Sequence, residues 1–398
     1  MFIQLYSNLF TKTEYKFGGA MNYILTEESI KTNGEEKFHA GGKAVQDIIC
    51  ESKNDWKPLY IVRFDNNGNP FLKLLNLFTS LKGWINVLFK VRRNDFLLIQ
   101  CPMRHRMLGR NTIQKYLSKR THIISLIHDV EQLREDTDHN AFFEKEIEFA
   151  IETSEILIVH NVVMEKWFIS NGFEQKRIVN LELFDYLTNS DYAKNESNGI
   201  IIAGNFNKSP FVHNLSRSNG QFELYGIGYR ENYSSNCNYH GAIVADALPE
   251  ALNGKWGLVW DGISVETCDG STGKYLKYNN PHKMSLYIAS GLPIIIWSGA
   301  AQADFVNKYQ IGISVDSLTN IQDTLDTISM EQYCRYKENA MNLSKKVRNG
   351  YFFKKSIAEA IDLITRGGII SYSNYSYILR FCLRASYTKY SSELRFVA

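Results

Sequence analysis

The chain has 398 residues, of which 44% are hydrophobic and 22% are charged, a length that suffices for two domains of roughly 150 residues each. Its 45 Lys and Arg residues nearly balance its 42 Asp and Glu residues, which excludes a bulk basic character of the kind that indicates nucleic-acid binding. The first twenty residues lack the basic and apolar regions of a signal peptide, and no stretch reaches the roughly 18 apolar residues of a membrane span. We therefore expect a cytoplasmic protein.

The cysteines are scattered along the chain without CxxC or metal-ligand spacing. Such a distribution is typical of reduced and mostly buried thiols. The six positions are Cys50, Cys101, Cys237, Cys268, Cys334 and Cys382.

Short apolar runs rich in β-branched residues alternate with helical patterns, which predicts α/β architecture with parallel sheets covered on both faces. Met21 begins the first run, MNYILTEES, so residues 1–20 are set apart as an N-terminal extension. The first series continues with Tyr60 to Phe64, Phe96 to Gln100, Ile123 to Ile127 and Ile156 to His160. The second comprises Gly199 to Gly204, Phe222 to Gly226, Gly257 to Trp260, Ile294 to Trp297 and Ile311 to Val315.

Two such series in tandem predict two doubly wound Rossmann-like domains that face each other across a cleft. The polar segment 187–197, LTNSDYAKNES, marks the boundary, which gives domains at 21–190 and 191–365 and a tail at 366–398. The tail is rich in Tyr, Ser and Arg, and it is interpreted either as a helix that crosses back to the first domain or as a membrane-contacting segment. In open α/β sheets ligands bind beyond the carboxyl ends of the strands, so the residues that follow each strand are the candidates for a ligand site.

The first such loop is FHAGGKA, residues 38–44, in which Gly41 and Gly42 permit close backbone approach and Lys43 opens a helix. It suits an acceptor or a phosphate, and a plain glycine turn is the alternative. The motif is neither a Walker loop nor GxGxxG.

The segment 72–93, LKLLNLFTSLKGWINVLFKVRR, mixes large apolar residues with Lys and Arg and contains no acidic residue. This pattern is typical of a basic amphipathic helix that lies on anionic lipid. The alternative is a buried helix with a basic end.

His128 and Asp129 open the segment HDVEQLR directly after a predicted strand. They are candidates for a general base or for holding a sugar hydroxyl, with a helix-capping Asp beside a half-buried His as the alternative. Asp136 and Asp138 resemble a metal-binding DxD, but they lie in a polar continuation rather than at a strand end, which makes this a weaker hypothesis.

Two loops of the second series have cationic or acidic residues at strand ends. In GNFNKSP, Lys208 precedes Ser209 and Pro210, which predict a cap followed by a helix start. In WDG, Asp261 can accept a hydrogen bond from a sugar or ribose hydroxyl, while Asp-Gly is equally typical of a turn.

The segment KYLKYNNPHKMSLYIASGLPIIIW, residues 274–297, predicts a loop, a helix of about ten residues and a buried strand. Asn280 suits the N-cap, Pro281 the first helical position and Gly291 the C-terminal cap. Lys283 then lies in the first turn, where the free N–H groups and the helix dipole favour an anion. Together with Lys208, this helix start predicts a site for a diphosphate, against the simpler alternative of a capped helix packed on a sheet.

Between Met21 and Thr365 the chain resembles a family of bacterial enzymes. The resemblance rests on seven motifs, which follow one another in this order: FHAGGKA, HDVEQLR, GNFNKS, LYGIG, GLVWDG, KYLKYNNPHKMSLYIASGLPIIIW and ADFVNKYQIGISVDSL. The enzymes are the galactofuranosyltransferases and the related glucosyltransferases that extend GlcNAc on serine-rich proteins. The resemblance implies the two-domain GT-B fold and a UDP-sugar donor on the second domain. The positions that match its nucleotide-binding segments are Lys208, Tyr225, Gly226, Lys277, Asn279, Asn280 and Lys283.

The chain departs from the broader retaining GT-B pattern, because the EX7E pair falls on Tyr278 and Leu286. Asp304 is then the nearest acidic candidate for contact with ribose or donor sugar, and helix capping is its alternative role. The resemblance implies hexosyl transfer to a glycan hydroxyl. Our hypothesis for the mechanism is that Lys208 and Lys283 stabilise the leaving UDP, with Asp129 or His39 near the acceptor. No metal is expected in this scheme, since lysines and helix dipoles can stabilise the leaving group.

A polyprenyl-linked acceptor at the membrane, in O-antigen or capsule assembly, follows from the same resemblance and from the basic segment 72–93. Two alternatives stay open: a non-catalytic GT-B partner that binds a glycan or a second transferase, and a UDP-sugar epimerase. A nicotinamide dehydrogenase is disfavoured, because GxGxxG follows none of the predicted strands.

Overall fold

The computed structural model describes residues 19–30, 40–64, 69–103, 107–134, 141–194, 196–230 and 234–366. Within these residues the first unit is a parallel six-stranded sheet in the order β2-β1-β3-β4-β5-β6. Its strands are β1 (Asn22–Ile30), β2 (Lys57–Phe64), β3 (Phe96–Cys101), β4 (His122–Ile127), β5 (Ile156–Val159) and β6 (Ile178–Asn180). Its helices are α1 (Ala40–Ser52), α2 (Pro70–Lys90), α3 (Arg110–Ser118), α4 (Ala141–Thr153) and α5 (Val162–Ser170), with short 3₁₀ turns at Glu131–Leu133 and Gln175–Arg177.

The second unit, within the same described residues, is another parallel sheet of six strands, in the order β12-β11-β10-β7-β8-β9. Its strands are β7 (Ile200–Asn205), β8 (Phe222–Ile227), β9 (Cys237–Tyr239), β10 (Trp256–Val259), β11 (Ile294–Trp297) and β12 (Gly312–Val315). The helices are α6 (Leu248–Ala251), α7 (Gly270–Tyr275), α8 (His282–Ala289), α9 (Ala303–Tyr309), α10 (Ile321–Asp326), α11 (Met330–Val347) and α12 (Tyr351–Arg366), and Pro210–Arg217 forms a 3₁₀ helix.

The predicted α/β architecture with two doubly wound sheets is confirmed. Continuous apolar runs such as Ile156–Val159 and Ile294–Trp297 are buried along their whole length, as parallel strands covered on both faces require. The short strands β6 and β9 were not predicted, because three residues are too few to show a periodic pattern.

The switch points of the two sheets determine where ligands can bind. In the first sheet the order in which strands are added changes side between β1 and β3, and in the second sheet it changes side between β7 and β10. A crevice at the carboxyl ends of the strands opens at such a point. The loops after β7 and β10, which carry GNFNKSP and WDG, therefore flank the crevice of the second sheet.

The two units pack on each other. One apolar core runs from the α1 face of the first sheet through residues 181–186 into the second unit, while a separate core fills the opposite face of the first sheet. Helix α12 packs on β5 and β6 of the first unit, although its sequence lies inside the predicted second domain. The helix that crosses back to the first unit is therefore α12, which ends at Arg366. The tail 366–398, for which this role was one of two predictions, lies outside the described residues except for Arg366. The predicted domain limits stay predictions.

Two expectations from composition can be placed on the fold. Within the described ranges, no helix combines the length and the apolarity that crossing a membrane requires. The expectation of mostly buried cysteines is wrong for part of the set: Cys101 and Cys268 are buried, Cys237 is half-buried, and Cys50 and Cys334 are exposed. Cys382 lies outside the described residues.

Candidate active site at the switch point of the second sheet

Asp261 joins three segments at the carboxyl edge of the second sheet. Its Oδ1 accepts hydrogen bonds from the Ser209 hydroxyl at 2.7 Å and from the Lys283 ammonium at 2.9 Å. Lys283 Nζ also donates to the carbonyl oxygen of Trp260 at 2.9 Å. The loop after β7, the loop after β10 and the first turn of α8 are therefore tied together around one carboxylate.

This arrangement corrects one local prediction and agrees with another. Ser209 was expected to cap a helix, but its side chain makes no cap bond, and the hydroxyl bonds Asp261 instead. The turn predicted at WDG is present: Gly262 has φ +102°, and a Cβ there would lie 2.2 Å from the carbonyl oxygen of Asp269. Asp261 thus combines the predicted turn with a side chain that bonds the protein itself.

Helix α8 starts differently from the prediction and ends as predicted. Asn280 is not its N-cap; Pro281 occupies that position with ψ 125° and no side-chain cap bond. At the other end Gly291 has φ +70°, its N–H bonds the carbonyl oxygen of Ile288, and the N–H of Leu292 bonds that of Tyr287. This is the Schellman arrangement, which a glycine at the first position past the helix permits.

Asn280 is buried and holds the two units together. Its Nδ2 donates to the carbonyl oxygens of His160 at 2.6 Å and Glu182 at 3.1 Å. Its Oδ1 accepts from Asn161 Nδ2 at 2.8 Å and from Gln302 Nε2. The predicted contact of Asn280 with a nucleotide stays a prediction, and in this arrangement the side chain is engaged with other residues of the protein.

The neighbouring Asn279 differs from Asn280 in one respect. Its Oδ1 is buried and has no hydrogen-bond partner among the residues that the structure describes. A buried acceptor without a donor costs about 1–3 kcal/mol, so a ligand N–H or O–H that reaches it gains this energy. The contact of Asn279 with a bound nucleotide, which the family motif implies, stays a prediction.

The other predicted cations are exposed at the ends of neighbouring strands. Lys208 is exposed in the loop after β7, and Lys277 is exposed with its Nζ 6.0 Å from the ring centroid of Trp297, the last residue of β11. Asp304 is exposed in the first turn of α9, whose N-cap is Gln302, so its predicted alternative as a cap is wrong. Lys208 and Lys277 give the edge a cationic character that favours a diphosphate, while the charge of Lys283 is paired with Asp261.

Tyr225 and Gly226 end β8 in different environments. The Tyr225 side chain is buried, its ring stacks on His240, and its hydroxyl accepts from the N–H of Asn253 at 3.0 Å. Burial raises the pKa of Tyr225, which keeps the phenol neutral. Gly226 has φ +151°, and a Cβ there would lie 1.8 Å from the carbonyl oxygen of Gly204, so only glycine allows β7 and β8 to end so close together.

On the first unit, Asp129 lies just past β4 and pairs with Arg134 at 2.9 Å. The Asp129 side chain is 47% exposed, which leaves room for a ligand hydroxyl, and it caps no helix because Val130 precedes the 3₁₀ turn. His128 packs on Phe184 and bonds Gln100 at 2.8 Å. His39 and the Asp136 to Asp138 motif lie outside the described residues.

Arg134 and Tyr275 connect the segment after β4 to the second unit. The Arg134 guanidinium lies 4.6 Å from the Tyr275 ring centroid, and the N–H of Val130 donates to the Tyr275 hydroxyl at 3.0 Å. Neither residue was predicted from sequence. His160 and Asn161, the two polar residues directly after β5, are also absent from the predicted site. The rule that ligands bind at the carboxyl ends of strands would have identified both of them.

Lys43 of FHAGGKA is bonded to other parts of the protein, and the acceptor or phosphate contact predicted for this segment stays a prediction. Lys43 lies in the first turn of α1 and pairs with Asp47 at 2.5 Å and Asp246 at 2.9 Å. It also donates to the carbonyl oxygen of Leu187 at 2.6 Å. Two carboxylates neutralise its charge, so Lys43 connects α1 to the linker and to the second unit. Gly41 and Gly42 lie within α1 rather than in a turn.

No group of three or more metal-ligating side chains is found among the residues that the structure describes. The polar atoms at the cleft are lysine ammonium groups, amides and single carboxylates, and the carboxylates of Asp129 and Asp261 are each paired with a cation.

Two doubly wound parallel sheets in tandem, each with a switch point in its strand order, define an α/β protein of the GT-B fold. Two solved GT-B structures show the same fold: Anabaena Alr3699/HepE in complex with UDP and glucose (TM-score 0.53, 11% identity, covering 86% of this chain and 100% of that one), and the lipopolysaccharide outer core galactosyltransferase WaaB (TM-score 0.52, 11% identity, 86% and 99%).

Sequence profiles of the glucosyltransferase 3-like family match both units, the N-terminal domain over residues 26–183 and the C-terminal domain over residues 200–360. The beta-1,6-galactofuranosyltransferase WbbI of Escherichia coli (strain K12) is 36% identical over 339 residues, which cover 81% of this chain and 94% of that protein. Glucosyltransferase 3 of Streptococcus gordonii is 25% identical over 285 residues, 69% of this chain and 81% of that protein. The chain belongs to the glucosyltransferase 3-like family of glycosyltransferases.

Proposed function

We propose that this enzyme transfers a hexose, galactofuranose or glucose, from a UDP-sugar to a hydroxyl group of a glycan acceptor. The sugar choice follows the names of the relatives, one a galactofuranosyltransferase and one a glucosyltransferase. The donor follows the complex of HepE with UDP and glucose, a protein of the same fold. The acceptor belongs to bacterial surface polysaccharide or glycoprotein assembly.

The observation that supports this function best is the position of Lys283. Its ammonium lies in the first turn of α8 at the switch point, held by Asp261 and the carbonyl oxygen of Trp260. Lys208 stands exposed on the adjacent loop after β7. A diphosphate placed between the two loops meets positive charge from both, together with the dipole of α8.

In the proposed reaction the acceptor oxygen forms a bond to C1 of the sugar, and the bond from C1 to the phosphate oxygen of UDP breaks. The electron pair stays on UDP, whose developing charge Lys208 and Lys283 stabilise. The proton of the acceptor hydroxyl passes to a base on the first unit, for which Asp129 and His39 are the proposed candidates. Asn279, Lys277, Asp304 and the main chain of Tyr225 and Gly226 are proposed to contact the nucleotide or its sugar.

We place the reaction at the inner face of the cell membrane. An acceptor carried on polyprenyl diphosphate, as in O-antigen assembly, would be presented there to a peripheral enzyme. The basic and apolar segment 72–93 supports this location, because its composition suits an anionic lipid surface.

The test is thermal unfolding with UDP, UDP-galactofuranose, UDP-galactopyranose, UDP-glucose and UDP-GlcNAc. A ligand at about one hundred times its Kd stabilises the protein by about 2.7 kcal/mol. We expect the shift with UDP to be lost in Lys283→Ala and kept in Lys308→Ala, since Lys308 is an exposed cation in the last turn of α9, at the opposite end of that helix from Asp304. The sugar nucleotide with the largest shift identifies the donor.

Turnover separates the remaining alternatives. With a glycan acceptor, we expect Lys283→Ala to lower kcat by about 10²-fold, the usual effect of removing one group that stabilises developing charge. Unchanged kcat at saturating donor would rule out the leaving-group role of Lys283. Product without acceptor would identify an epimerase, and nucleotide binding without any turnover would identify a non-catalytic partner.

A further inference from the structure

Helix α2 has an apolar stripe on its outer face. Phe71, Leu74, Phe78, Ile85 and Phe89 are exposed, with Phe71 at 70%, Phe78 at 59% and Phe89 at 79% of their full surface. The spacing of these positions, with Lys82 completing the row, is that of one side of an α-helix over five turns. Isolated exposed apolar residues are common on proteins, but a continuous row of them indicates an interaction surface.

The opposite face of α2 holds the helix firmly on the sheet. Ser80, Gly83, Trp84 and Val87 are buried there. A Cβ on Gly83 would lie 2.7 Å from a side-chain carbon of Ile61, so the helix packs closely on β2. Because this inner face provides the packing, the outer stripe is not needed for the fold and is available to a partner.

The charges around the stripe indicate what the partner is. Five basic residues, Lys73, Lys82, Lys90, Arg92 and Arg93, are all exposed, and the sequence contains no acidic residue from Pro70 to Arg93. A second copy pairing through the same face would bring these charges together. The chain's own segment after Arg366 has four Lys and Arg residues against one Glu, so its charge also disfavours it as the occupant. An anionic surface with an apolar interior satisfies both the charges and the stripe.

We infer that α2 lies in the surface of an anionic phospholipid bilayer, with its five apolar side chains among the acyl chains and its basic residues at the phosphates. The inferred membrane contact rests on the proposed function only for its biological purpose, which is to bring the enzyme to a lipid-linked acceptor. The membrane contact itself requires no donor and no catalysis.

The topology also gives the orientation of the cleft. Helix α2 follows β2, so its first turn lies at the carboxyl edge of the first sheet, the edge that carries Asp129. Asn76 holds the helix there, because its side chain accepts from the N–H of Phe64 and donates to the carbonyl oxygen of Phe64, both at 2.8 Å. A bilayer under α2 therefore extends along the first unit from the carboxyl edge of its sheet, and Phe71 lies at the end of α2 that is on this edge.

The test is co-sedimentation of the full-length protein with vesicles, without nucleotide sugar. Vesicles of phosphatidylcholine alone are compared with vesicles that contain about 30% phosphatidylglycerol. We expect binding to the anionic vesicles and at least about tenfold weaker partitioning for Phe78→Ser/Phe89→Ser. Met330→Ser is the matched control, because Met330 is 69% exposed on α11 in the second unit and is expected to leave binding unchanged.

The contribution of charge is tested separately with the double variant Lys82→Ala/Lys90→Ala, which we expect to bind anionic vesicles more weakly. Salt at about 1 M should weaken the binding of the unchanged protein in the same way, because the Debye length then falls to about 3 Å. Equal binding to neutral and anionic vesicles, or no loss in the phenylalanine variant, would overturn the inference. So would a dimer in sedimentation velocity that disappears in Phe78→Ser, since it assigns the stripe to a second copy. Thermal unfolding and turnover of a soluble acceptor show that the variants are folded. Absence of turnover in a folded protein that still binds vesicles would count against the proposed function and not against the membrane contact.

Discussion

The main-chain N–H of Asn280 donates a hydrogen bond to Nδ1 of His160 at 2.9 Å, which joins the second unit to the first just before α8 begins. His160 in turn donates from Nε2 to the carbonyl oxygen of Ile127 at 3.1 Å. One ring nitrogen accepts and the other donates, so the imidazole is neutral in this arrangement. Burial lowers the pKa of His160 to about 4, in agreement with this geometry.

His160 should contribute a loss of stability as the pH falls from 6.5, its ordinary pKa, to about 4, its pKa in the folded protein. The folded pKa of His160 is about 4 and its ordinary value is 6.5, so the unfolded chain binds more protons in between. At about 1.4 kcal/mol for each pKa unit, protonation would remove up to about 3 kcal/mol. His282, whose pKa burial also lowers to about 4, adds a slope of the same sign. Urea unfolding at several pH values measures this slope.

His160→Gln isolates the contribution of His160. Glutamine can still accept from Asn280 and donate to Ile127 but does not titrate. We expect a lower stability at pH 7 and a flatter dependence between pH 6.5 and 4. An equally steep dependence in the variant would show that the slope comes from other groups.

Asn279 and Asn280 form a matched pair for separating ligand contact from interdomain contact. Asn280→Ala removes the hydrogen bonds that its buried amide makes with His160, Glu182, Asn161 and Gln302, and we expect a loss of about 3 kcal/mol or more in urea unfolding. Asn279→Ala removes a buried acceptor that has no described partner, so the ligand-free protein should be no less stable. The stabilisation by UDP should then be smaller in Asn279→Ala. A full UDP shift in this variant would exclude a contact between Asn279 and the nucleotide.

The pair of Lys283 and Asp261 should show a measurable coupling energy. Both side chains are 18% exposed, so the interaction is partly shielded from water. In a cycle of Lys283→Met, Asp261→Asn and the double variant we expect a coupling of about 1 kcal/mol in the free energy of unfolding. The comparison pair Arg335 and Glu331, exposed on α11, should couple by less than about 0.5 kcal/mol. Equal coupling in both pairs would contradict the assignment of Lys283 to a preorganised site.

Gly226→Ala should be strongly destabilising. The added Cβ would meet the carbonyl oxygen of Gly204 at 1.8 Å, a main-chain atom that moves only if the strands separate. We expect a loss of about 3 kcal/mol in urea unfolding. Gly172→Ala is the control, because Gly172 also has positive φ, +91°, but no atom lies within 4 Å of the added Cβ among the described residues, and about 1 kcal/mol is expected. Similar losses at both positions would show that backbone strain, and not the contact with β7, dominates.

Much of the fold could be predicted from sequence because its signals are local. The runs Ile123 to Ile127 and Ile294 to Trp297 are apolar throughout, since both faces of a parallel sheet are buried. Gly291 marks the end of α8 because its left-handed conformation depends on residues only a few positions away. The start of α8 could not be predicted in the same way: Asn280 has the side chain of an N-cap, but its partners lie 120 and 98 residues earlier in the chain.

The sequence by itself determined the two series of buried strands, the glycine end of α8, the lysines at strand ends and the apolar row on α2. These properties depend on periodicity and on neighbours along the chain, which are written in the order of residues. Only the tertiary structure decided which polar groups bind the protein and which face a ligand. Lys43 and Asn280 are engaged between the units, while Lys208 and Lys277 are exposed. The physical reason is that a hydrogen bond or ion pair between distant segments forms only when packing of the two sheets brings its partners together.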